Sequence, residues 1–116
     1  MVDSVNDTIE YYSEILGFEL TMTVPKAGKY NWAMMKCGNV EIMFQERINL
    51  INEYPVLGDR TSGSGLTIYI RVVDVEALYN EIKEKVRLVS DLHKTFYHTM
   101  EFAIMDINGF VITFSN

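Results

Sequence analysis

Residues that build covalent links or soft metal sites are scarce in this sequence. It has a single cysteine, Cys37, and only two histidines, His93 and His98. One cysteine excludes a disulfide within the chain and a metal site made of several thiolates. A cysteine in a globular chain most often packs as a small buried hydrophobic side chain, so we expect Cys37 to be structural rather than catalytic.

Positive charge and long apolar runs are also lacking. Ten Lys and Arg residues stand against 16 Asp and Glu residues, which gives a net charge of −6. Nucleic-acid binding needs clustered basic side chains, so this balance argues against a nucleic-acid partner. No apolar run approaches the ~20 residues of a membrane-spanning helix, and no signal peptide is recognisable. We therefore expect a cytoplasmic protein with no membrane partner.

The first half of the chain predicts one helix followed by three strands. "SVNDTIEYYSEILGF" (residues 4–18) has apolar residues at helical spacing, a capping residue in Ser4 or Asn6, and a stop at Gly17. Alternation then predicts strands in "FELTMTV" and "VEIMFQE", and the aromatic and Met-rich "YNWAMMKC" between them is a third strand candidate. The stretch 47–65 breaks the pattern and is predicted to hold only a short helical turn ending at Pro55.

The second half repeats this order with a full strand in front. "LTIYIRVV" predicts that strand, Asp74 is placed to cap a helix over 75–86, and three strand candidates follow: "RLVSDL", "MEFAIMD" and "FVITFSN". Asn108 and Gly109 join the last two strands as a hairpin. This pair favours a type I′ turn, with positive φ at both residues.

Two copies of one βαβββ unit therefore account for the chain. The sequence predicts an α+β fold with a first module at 1–46, a linker at 47–65 and a second module at 66–116, together forming one domain. The first module lacks most of its opening strand, because only three residues precede its helix. Either the chain begins late or another segment completes that sheet.

These elements resemble the vicinal oxygen chelate superfamily, which includes glyoxalase I, bleomycin-resistance proteins, fosfomycin-resistance enzymes and extradiol dioxygenases. The resemblance rests on "TIEYYSEILGFEL", "VVDVEALYNEI" and "MEFAIMDINGFVITF", in that order along essentially the whole chain. The last segment departs from the family's Asp-Pro-Asp-Gly-Asn hairpin at Ile107 and Phe110. The resemblance implies two βαβββ modules in a cupped mixed sheet, with helices outside and a cavity inside. Members catalyse several reactions or only sequester a ligand, so the fold does not fix the function.

The resemblance also implies four metal-ligand positions, two in each module, and this sequence fills them poorly. The first position has no counterpart. The second falls at Glu41, or at Ile42 if the hairpin glycines are aligned, the third at Thr67 and the fourth at Thr113. Neutral hydroxyls bind divalent cations poorly beside imidazole or carboxylate. We expect no bound metal and no other cofactor.

The two histidines do not rescue a metal site. His93 lies in the polar connection "SDLHKTFYH" and is expected to be a solvated loop residue. His98 sits near a position where the family often has glycine, and both a surface role and a place at the cavity mouth remain open. No carboxylate stands at a suitable spacing from either of them.

Strand alternation assigns one face of the sheet to the helices and the other to the cavity. In three of the predicted strands, one set of alternate residues is wholly apolar and suits the helix side. The mixed sets face the cavity, and in the last strand they include Val111 and Ser115 beside Thr113. The predicted ligand-binding residues come from these sets, with Trp32 and Glu101: Glu41, Met43, Gln45, Thr67, Tyr69, Arg71, Trp32, Glu101 and Thr113. A few polar groups on apolar walls are typical of a small-molecule site.

Roles remain open at three of these positions. Arg71 would receive a ligand carboxylate or phosphate through paired hydrogen bonds, or it would pair with Glu41 or Glu101. Trp32 would stack against a flat ligand, or it would pack in the core or a dimer interface. Glu41 is the candidate catalytic acid–base group, and a general base needs a positioned partner.

The sequence favours a metal-free protein of the glyoxalase/bleomycin-resistance type that binds a small aromatic or anionic molecule. One alternative is a metal-dependent enzyme, a lactoylglutathione-lyase-like lyase or a dioxygenase relative, completed by a partner chain or an upstream segment. Another is an interaction module whose open sheet edge pairs with a second copy. Exposed strand edges are seldom left unprotected, so each interpretation includes a homodimer.

Overall fold

Two units make up the chain in a computed structural model that describes all 116 residues. The first unit covers residues 1–62 and the second covers residues 63–116. Each holds a helix followed by three strands, and each has a parallel strand, or its remnant, in front of the helix. The α+β class and the repeated βαβββ order are confirmed. The boundary between the units falls inside the predicted linker.

The first helix, α1 (Val5–Glu14), begins at a serine cap and packs through an aromatic ring. Ser4 accepts a hydrogen bond from the backbone N–H of Asp7, which satisfies one of the free donors of the first turn. Tyr12 is almost fully buried, with its ring centroid 5.6 Å from that of Phe18 and 4.7 Å from that of Phe44. These rings fix the helix against the sheet of this unit.

The first sheet is antiparallel and contains β1 (Glu19–Val24), β2 (Trp32–Cys37) and β3 (Val40–Gln45), in that order. In place of a full opening strand, this unit has a single parallel bridge between Val2 and Glu46. The Val2 N–H donates to the carbonyl of Gln45 at 2.9 Å, and the Arg47 N–H donates to the carbonyl of Val2 at 2.8 Å. Along the rest of β3 the outer edge has no strand partner.

A short helical segment completes the first unit. Helix α2 (Arg47–Glu53) is followed by a single 3₁₀ turn over Pro55–Leu57. Helical structure is therefore present as predicted, but it is longer than one turn, and Pro55 begins the 3₁₀ turn instead of ending the helical stretch. The Arg47 guanidinium donates to the carbonyls of Gly58 and Arg60. It therefore closes the segment back onto its own start.

The second unit contains a four-stranded mixed sheet. Its elements are β4 (Thr67–Arg71), α3 (Val75–Ile82), β5 (Arg87–Lys94), β6 (Met100–Met105) and β7 (Val111–Ser115). The spatial order is β4-β7-β6-β5, with β4 parallel to β7 and the other pairs antiparallel. Asp74 caps α3 by accepting from the Ala77 N–H at 2.9 Å, as predicted. The helix ends four residues earlier than predicted, because the chain must turn before β5 begins at Arg87.

The core of the second unit lies between α3 and one face of this sheet. Phe102 is fully buried, stacks on Phe114 at 5.1 Å between ring centroids, and meets Tyr79 of the helix edge-on at 5.3 Å. Ile104 and Ile112, which are paired across β6 and β7, are buried beside them. The apolar residues of the last strand therefore face the helix, as alternation predicts.

The hairpin between β6 and β7 forms, but its turn is not the predicted type I′. Only Gly109 has positive φ, at +85°, and Asn108 does not. The Asp106 carboxylate accepts from the backbone N–H groups of Asn108 at 2.9 Å and of Phe110 at 2.7 Å. This side chain therefore sets the turn, in place of two left-handed residues. The prediction of type I′ is wrong for that reason.

Candidate functional site

The sheet of the second unit has a polar face, on the side opposite α3. Register places Thr67, Val111 and Met105 in one row, Tyr69, Thr113 and Ala103 in the next, and Arg71, Ser115 and Glu101 in the third. Paired residues on neighbouring strands share a face, and alternate residues of one strand do so too. Five of the nine predicted ligand-binding residues therefore come together here: Thr67, Tyr69, Arg71, Glu101 and Thr113.

Glu101 is the centre of a hydrogen-bond cluster on this polar face. Its Oε1 accepts from the hydroxyls of Tyr69 at 2.6 Å and Thr99 at 2.8 Å, and lies 3.4 Å from the hydroxyl of Ser115. The hydroxyl of Tyr97 is 3.0 Å from each of the two carboxylate oxygens. We call these five residues the Glu101 cluster.

The cluster keeps Glu101 ionised. The side chain is covered by its neighbours, since Glu101 is only 6% exposed. Desolvation by burial raises the pKa of Glu101, but the hydrogen bonds from Tyr69, Thr99, Tyr97 and Ser115 together lower it by more, so the pKa lies below its usual value. A carboxyl group with a lowered pKa carries a full negative charge at neutral pH.

Tyr97 of the cluster keeps its proton. The hydrogen bond to Glu101 is the main cause that raises the pKa of Tyr97, followed by desolvation and by the negative charge of Glu101. Its phenol therefore acts as a donor across the physiological pH range. Half of each of the two tyrosine residues, Tyr69 and Tyr97, stays exposed to solvent. The cluster thus presents aromatic surface beside a buried charge.

Arg71, for which pairing with Glu101 is one of the alternatives left open by the sequence, does not pair with it. No Lys, Arg or His nitrogen lies within 4.0 Å of the Glu101 carboxylate. Arg71 is exposed at the end of β4, two strands away and in the same row. At a strand spacing of about 4.8 Å, the two Cα atoms are separated by about 10 Å. The guanidinium is therefore free to meet a ligand.

The four remaining predicted residues lie on the sheet of the first unit. Gln45 is paired with Trp32, Met43 with Met34 and Glu41 with Lys36, so these side chains share one face. Phe44, in contrast, packs against α1 on the other side. The alternation of β3 is therefore read correctly from the sequence.

Two of these first-unit residues have surroundings that bear on function. Gln45 donates to Asn49 at 2.7 Å and to Glu53 at 3.0 Å, so it is tied to α2. Glu41 is exposed and makes no ion pair with Lys36, its cross-strand neighbour. Glu41 thus has no positioned partner of the kind that a general base requires.

The family model of the glyoxalase/bleomycin resistance protein/dioxygenase superfamily matches residues 1–114. The chain belongs to this superfamily. No match is found among curated proteins.

Solved structures of the same fold agree with this assignment. TioX from Micromonospora sp. ML1 has a TM-score of 0.78 at 16% identity, with 98% of this chain and 90% of that chain covered. A superfamily enzyme from Burkholderia phytofirmans PsJN has a TM-score of 0.76 at 18% identity, covering 100% and 91%. The bleomycin-binding protein of Streptomyces verticillus, in complex with copper(II)-bleomycin, has a TM-score of 0.65 at 20% identity, covering 97% and 87%. At these identities the likeness concerns the fold.

The metal positions of the superfamily do not fit a divalent cation in this chain. No group of three or more His, Cys, Asp or Glu side chains lies close enough together to hold a metal ion. Thr67 and Thr113 lie in adjacent rows of the polar face, where the superfamily's second pair of ligands is expected. Their hydroxyls are weak ligands for zinc, iron or manganese.

Both histidines and the cysteine are at the surface. His93 is exposed in strand β5, not in a loop as predicted, because β5 runs on to Lys94. His98 has φ of +72°, which accounts for the resemblance to a family position occupied by glycine. Cys37 is exposed at the end of β2, so the expectation of a buried thiol is wrong.

A pocket of about 230 Å³ lies on the first unit, and none of the predicted ligand-binding residues lines it. It is lined by Gly17, Glu19, Lys36, Cys37 and Gly38. Two of these residues are glycines and two are charged, and no aromatic ring lines the pocket. Ligand sites are usually apolar with a few convergent polar groups, so this pocket is the weaker candidate.

Three members of the Glu101 cluster are not among the predicted ligand-binding residues. Tyr97 belongs to the connection that reads as a polar loop, and Thr99 directly follows that connection. Ser115 lies on the face that alternation assigns to the cavity, two residues after Thr113, but is not among the predicted ligand-binding residues. The alternation Thr99, Glu101 was a usable signal for Thr99, and that of Thr113, Ser115 for Ser115. No local pattern points to Tyr97.

None of the helices is both long and apolar enough to cross a membrane.

Proposed function

We propose that this chain is a small-molecule-binding protein of its superfamily, and that the ligand binds on the polar face of the second unit without a bound metal ion. The observation that carries the proposal is the Glu101 cluster. Burial of a charge costs free energy unless the charge is hydrogen-bonded. A sheet face with only a packing role would not need a buried charge. Four hydroxyls hold this carboxylate in one place before any ligand arrives.

The residues around the cluster supply the rest of such a site. Tyr69 contributes half-exposed aromatic surface, Arg71 an unpaired guanidinium, and Thr113 a hydroxyl opposite Tyr69 in the adjacent strand. This combination supports orientation of a ligand by a few polar groups on an otherwise apolar surface. The related protein that binds copper(II)-bleomycin supports small-molecule binding within the superfamily. Binding by this chain is our inference.

A blocking substitution tests the proposal. We expect Thr113→Phe to abolish ligand-induced thermal shifts across a library of small cationic, anionic and neutral aromatic compounds, because the ring would fill the middle of the polar face. Val73→Phe is the matched control, since Val73 is fully exposed outside the strands. Compounds that shift the melting temperature of the wild type and of both variants equally would count against a site on this face.

Metal analysis of the purified protein separates binding from metal-dependent catalysis. We expect no stoichiometric nickel, zinc, iron or manganese. A stoichiometric metal that is lost in Glu41→Ala would instead support the lyase or dioxygenase alternative, with further ligands from a partner chain or an upstream segment. Glu41 is exposed and has no hydrogen-bond or ion-pair partner, so its surroundings do not favour this alternative.

We also propose that the protein is a homodimer in the cytoplasm. The outer edge of β3 carries unpaired backbone groups beside the exposed side chains of Val40 and Met43. Edges of this kind are usually covered, and a second copy of the chain is the simplest cover. Sedimentation velocity at micromolar concentrations tests this, and a monomer mass throughout that range would contradict it.

A further inference from the structure

Glu101 carries a buried negative charge that the chain itself does not neutralise. The side chain is more than nine-tenths buried, and all four of its partners are neutral hydroxyls. No cationic side chain lies within 4.0 Å of it. Buried carboxylates are normally paired with a cation or belong to a metal-binding group of side chains, and Glu101 has no cationic partner and belongs to no such group.

The hydrogen bonds are also distributed unevenly over the two carboxylate oxygens. Tyr69, Thr99 and Ser115 all approach Oε1, whereas Oε2 is approached only by the hydroxyl of Tyr97. That hydroxyl has one proton and is 3.0 Å from both oxygens, so it is shared between them. An ionised carboxylate oxygen accepts about two hydrogen bonds. Oε2 therefore has acceptor capacity left over.

Exposed aromatic rings stand next to this carboxylate. The hydroxyls of Tyr69 and Tyr97 donate hydrogen bonds to the Glu101 carboxylate. These bonds hold both rings beside the charge. Phe96 is 92% exposed and packs edge-on against Tyr97, at 4.8 Å between ring centroids. Aromatic faces attract cations through their quadrupole and also cover the apolar part of a ligand.

From these three observations we infer that the polar face recognises an organic cation with an N–H donor, namely a protonated amine on an aromatic or aliphatic body. The ammonium group donates to Oε2 of Glu101, and the rings of Tyr69, Tyr97 and Phe96 surround its carbon skeleton. Arg71 lies about 10 Å away along the same row and is exposed, so solvent screens its repulsion. The inference rests on the proposed function and names the ligand class for the same site.

Three probes of one size test the charge requirement. Phenethylamine carries a positive charge, phenethyl alcohol is its neutral counterpart and phenylacetate is negatively charged. A charged hydrogen bond to Glu101 is expected to make the amine bind roughly 10- to 100-fold more tightly than the alcohol in calorimetric or NMR titrations. The tyrosine ring resonances are expected to shift on addition of the amine.

Two variants with the same change in net charge locate the effect. Glu101→Gln is expected to remove the preference for the amine, whereas Glu81→Gln, on the exposed side of α3, keeps it. Equal affinity of the wild type for amine and alcohol would overturn the inference, as would a preference that survives in Glu101→Gln. If Glu101→Gln does not fold, the comparison of the probes on the wild type tests the charge requirement, and the shift of the tyrosine ring resonances on addition of the amine locates it at the cluster.

The outcomes also separate this inference from the proposed function. Binding of phenethyl alcohol or phenylacetate to the polar face, without preference for the amine, would contradict the inference of a cationic ligand. It would still support a small-molecule site on this face. An absence of binding by every compound of the wider library would remove both. A preference for the amine that is lost in both Glu101→Gln and Thr113→Phe supports both.

Discussion

The hydroxyl of Tyr69 on β4 donates to Oε1 of Glu101 on β6, at 2.6 Å, across the intervening strand β7. The two residues are not backbone partners, since Tyr69 pairs with Thr113 and Glu101 pairs with Ser115. Their side chains therefore cross the sheet diagonally and connect an outer strand to an inner one. The same hydrogen bond therefore stabilises the fold of the second unit and holds the side chains of its polar face in place.

Removal of this hydroxyl is expected to be costly. Tyr69→Phe deletes a hydrogen bond to a buried charge, and such bonds contribute about 1.5–3 kcal/mol. We expect a loss of that size in the free energy of unfolding by urea. Tyr30→Phe is the control, because no hydrogen bond of the Tyr30 hydroxyl is present and its loss is expected to cost less than about 0.5 kcal/mol. Similar urea midpoints for the two variants would show that the Tyr69 bond contributes nothing.

The ionisation of Glu101 gives stability a dependence on acid pH. The pKa of Glu101 is lower in the folded protein than the unperturbed value of 4.5, so the group stabilises the fold above that value and loses this contribution as pH falls through its folded pKa. We expect the Glu101 carboxyl carbon to titrate below pH 4.5 in NMR. The stability advantage of the wild type over Glu101→Gln is expected to shrink over the same window. An advantage that grows on acidification would contradict the assigned direction.

Gly63 is expected to tolerate no side chain. It has φ of +73°, and a Cβ atom there would lie 2.4 Å from the carbonyl carbon of Gly109. Gly65, two residues on, also has positive φ, at +82°, but has open space around it. Both Gly→Ala changes introduce left-handed strain of about 1–2 kcal/mol, and the clash is expected to add about 1–3 kcal/mol at Gly63 only. Equal losses in the two variants, measured by urea unfolding, would mean that the loop moves aside.

Asp106 holds the last hairpin through its carboxylate. Asp106→Ala leaves the N–H groups of Asn108 and Phe110 without this acceptor, at a cost of about 1–3 kcal/mol for each one that stays buried. Asp106→Asn retains an oxygen at the same place and is expected to recover much of the loss. The exposed Asp59→Ala serves as the control for the change in charge. Hydrogen exchange of the Phe110 amide measures the effect locally, and unchanged protection in Asp106→Ala would refute it.

Features with a strict period along the chain could be predicted from the sequence. Ile112 and Phe114 alternate with Thr113 and Ser115, and a strand turns every second side chain to the same face whatever its neighbours are. The same rule assigns Phe44 to the helix side of β3. Asp74 is a comparably local signal, because a helix cap involves only the next three residues.

Features set by side chains from distant segments could not be predicted. The type of the last turn depends on Asp106, whose carboxylate competes with the backbone preference of Asn108 and Gly109. Tyr97 reaches Glu101 only because the hairpin from Thr95 to Thr99 folds its ring back onto the sheet, and no sequence period encodes that bend. Cys37 is exposed because it is the last residue of β2, next to the turn at Gly38, and the sequence pattern alone does not fix where that strand ends.

The strand order of the second sheet has a consequence for how the chain acquires this structure. Strand β7 follows β4, β5 and β6 in sequence, yet it lies between β4 and β6. During synthesis from the N-terminus, the backbone groups of β4 and β6 that face β7 therefore stay unpaired until residues 111–115 insert between the two strands. Pairing over more than 40 residues is slow to form, and bare edges are the surfaces through which nascent chains associate wrongly. The hydroxyl that Ser115 brings to Glu101 arrives at that final step, so the polar face matures only when the sheet closes.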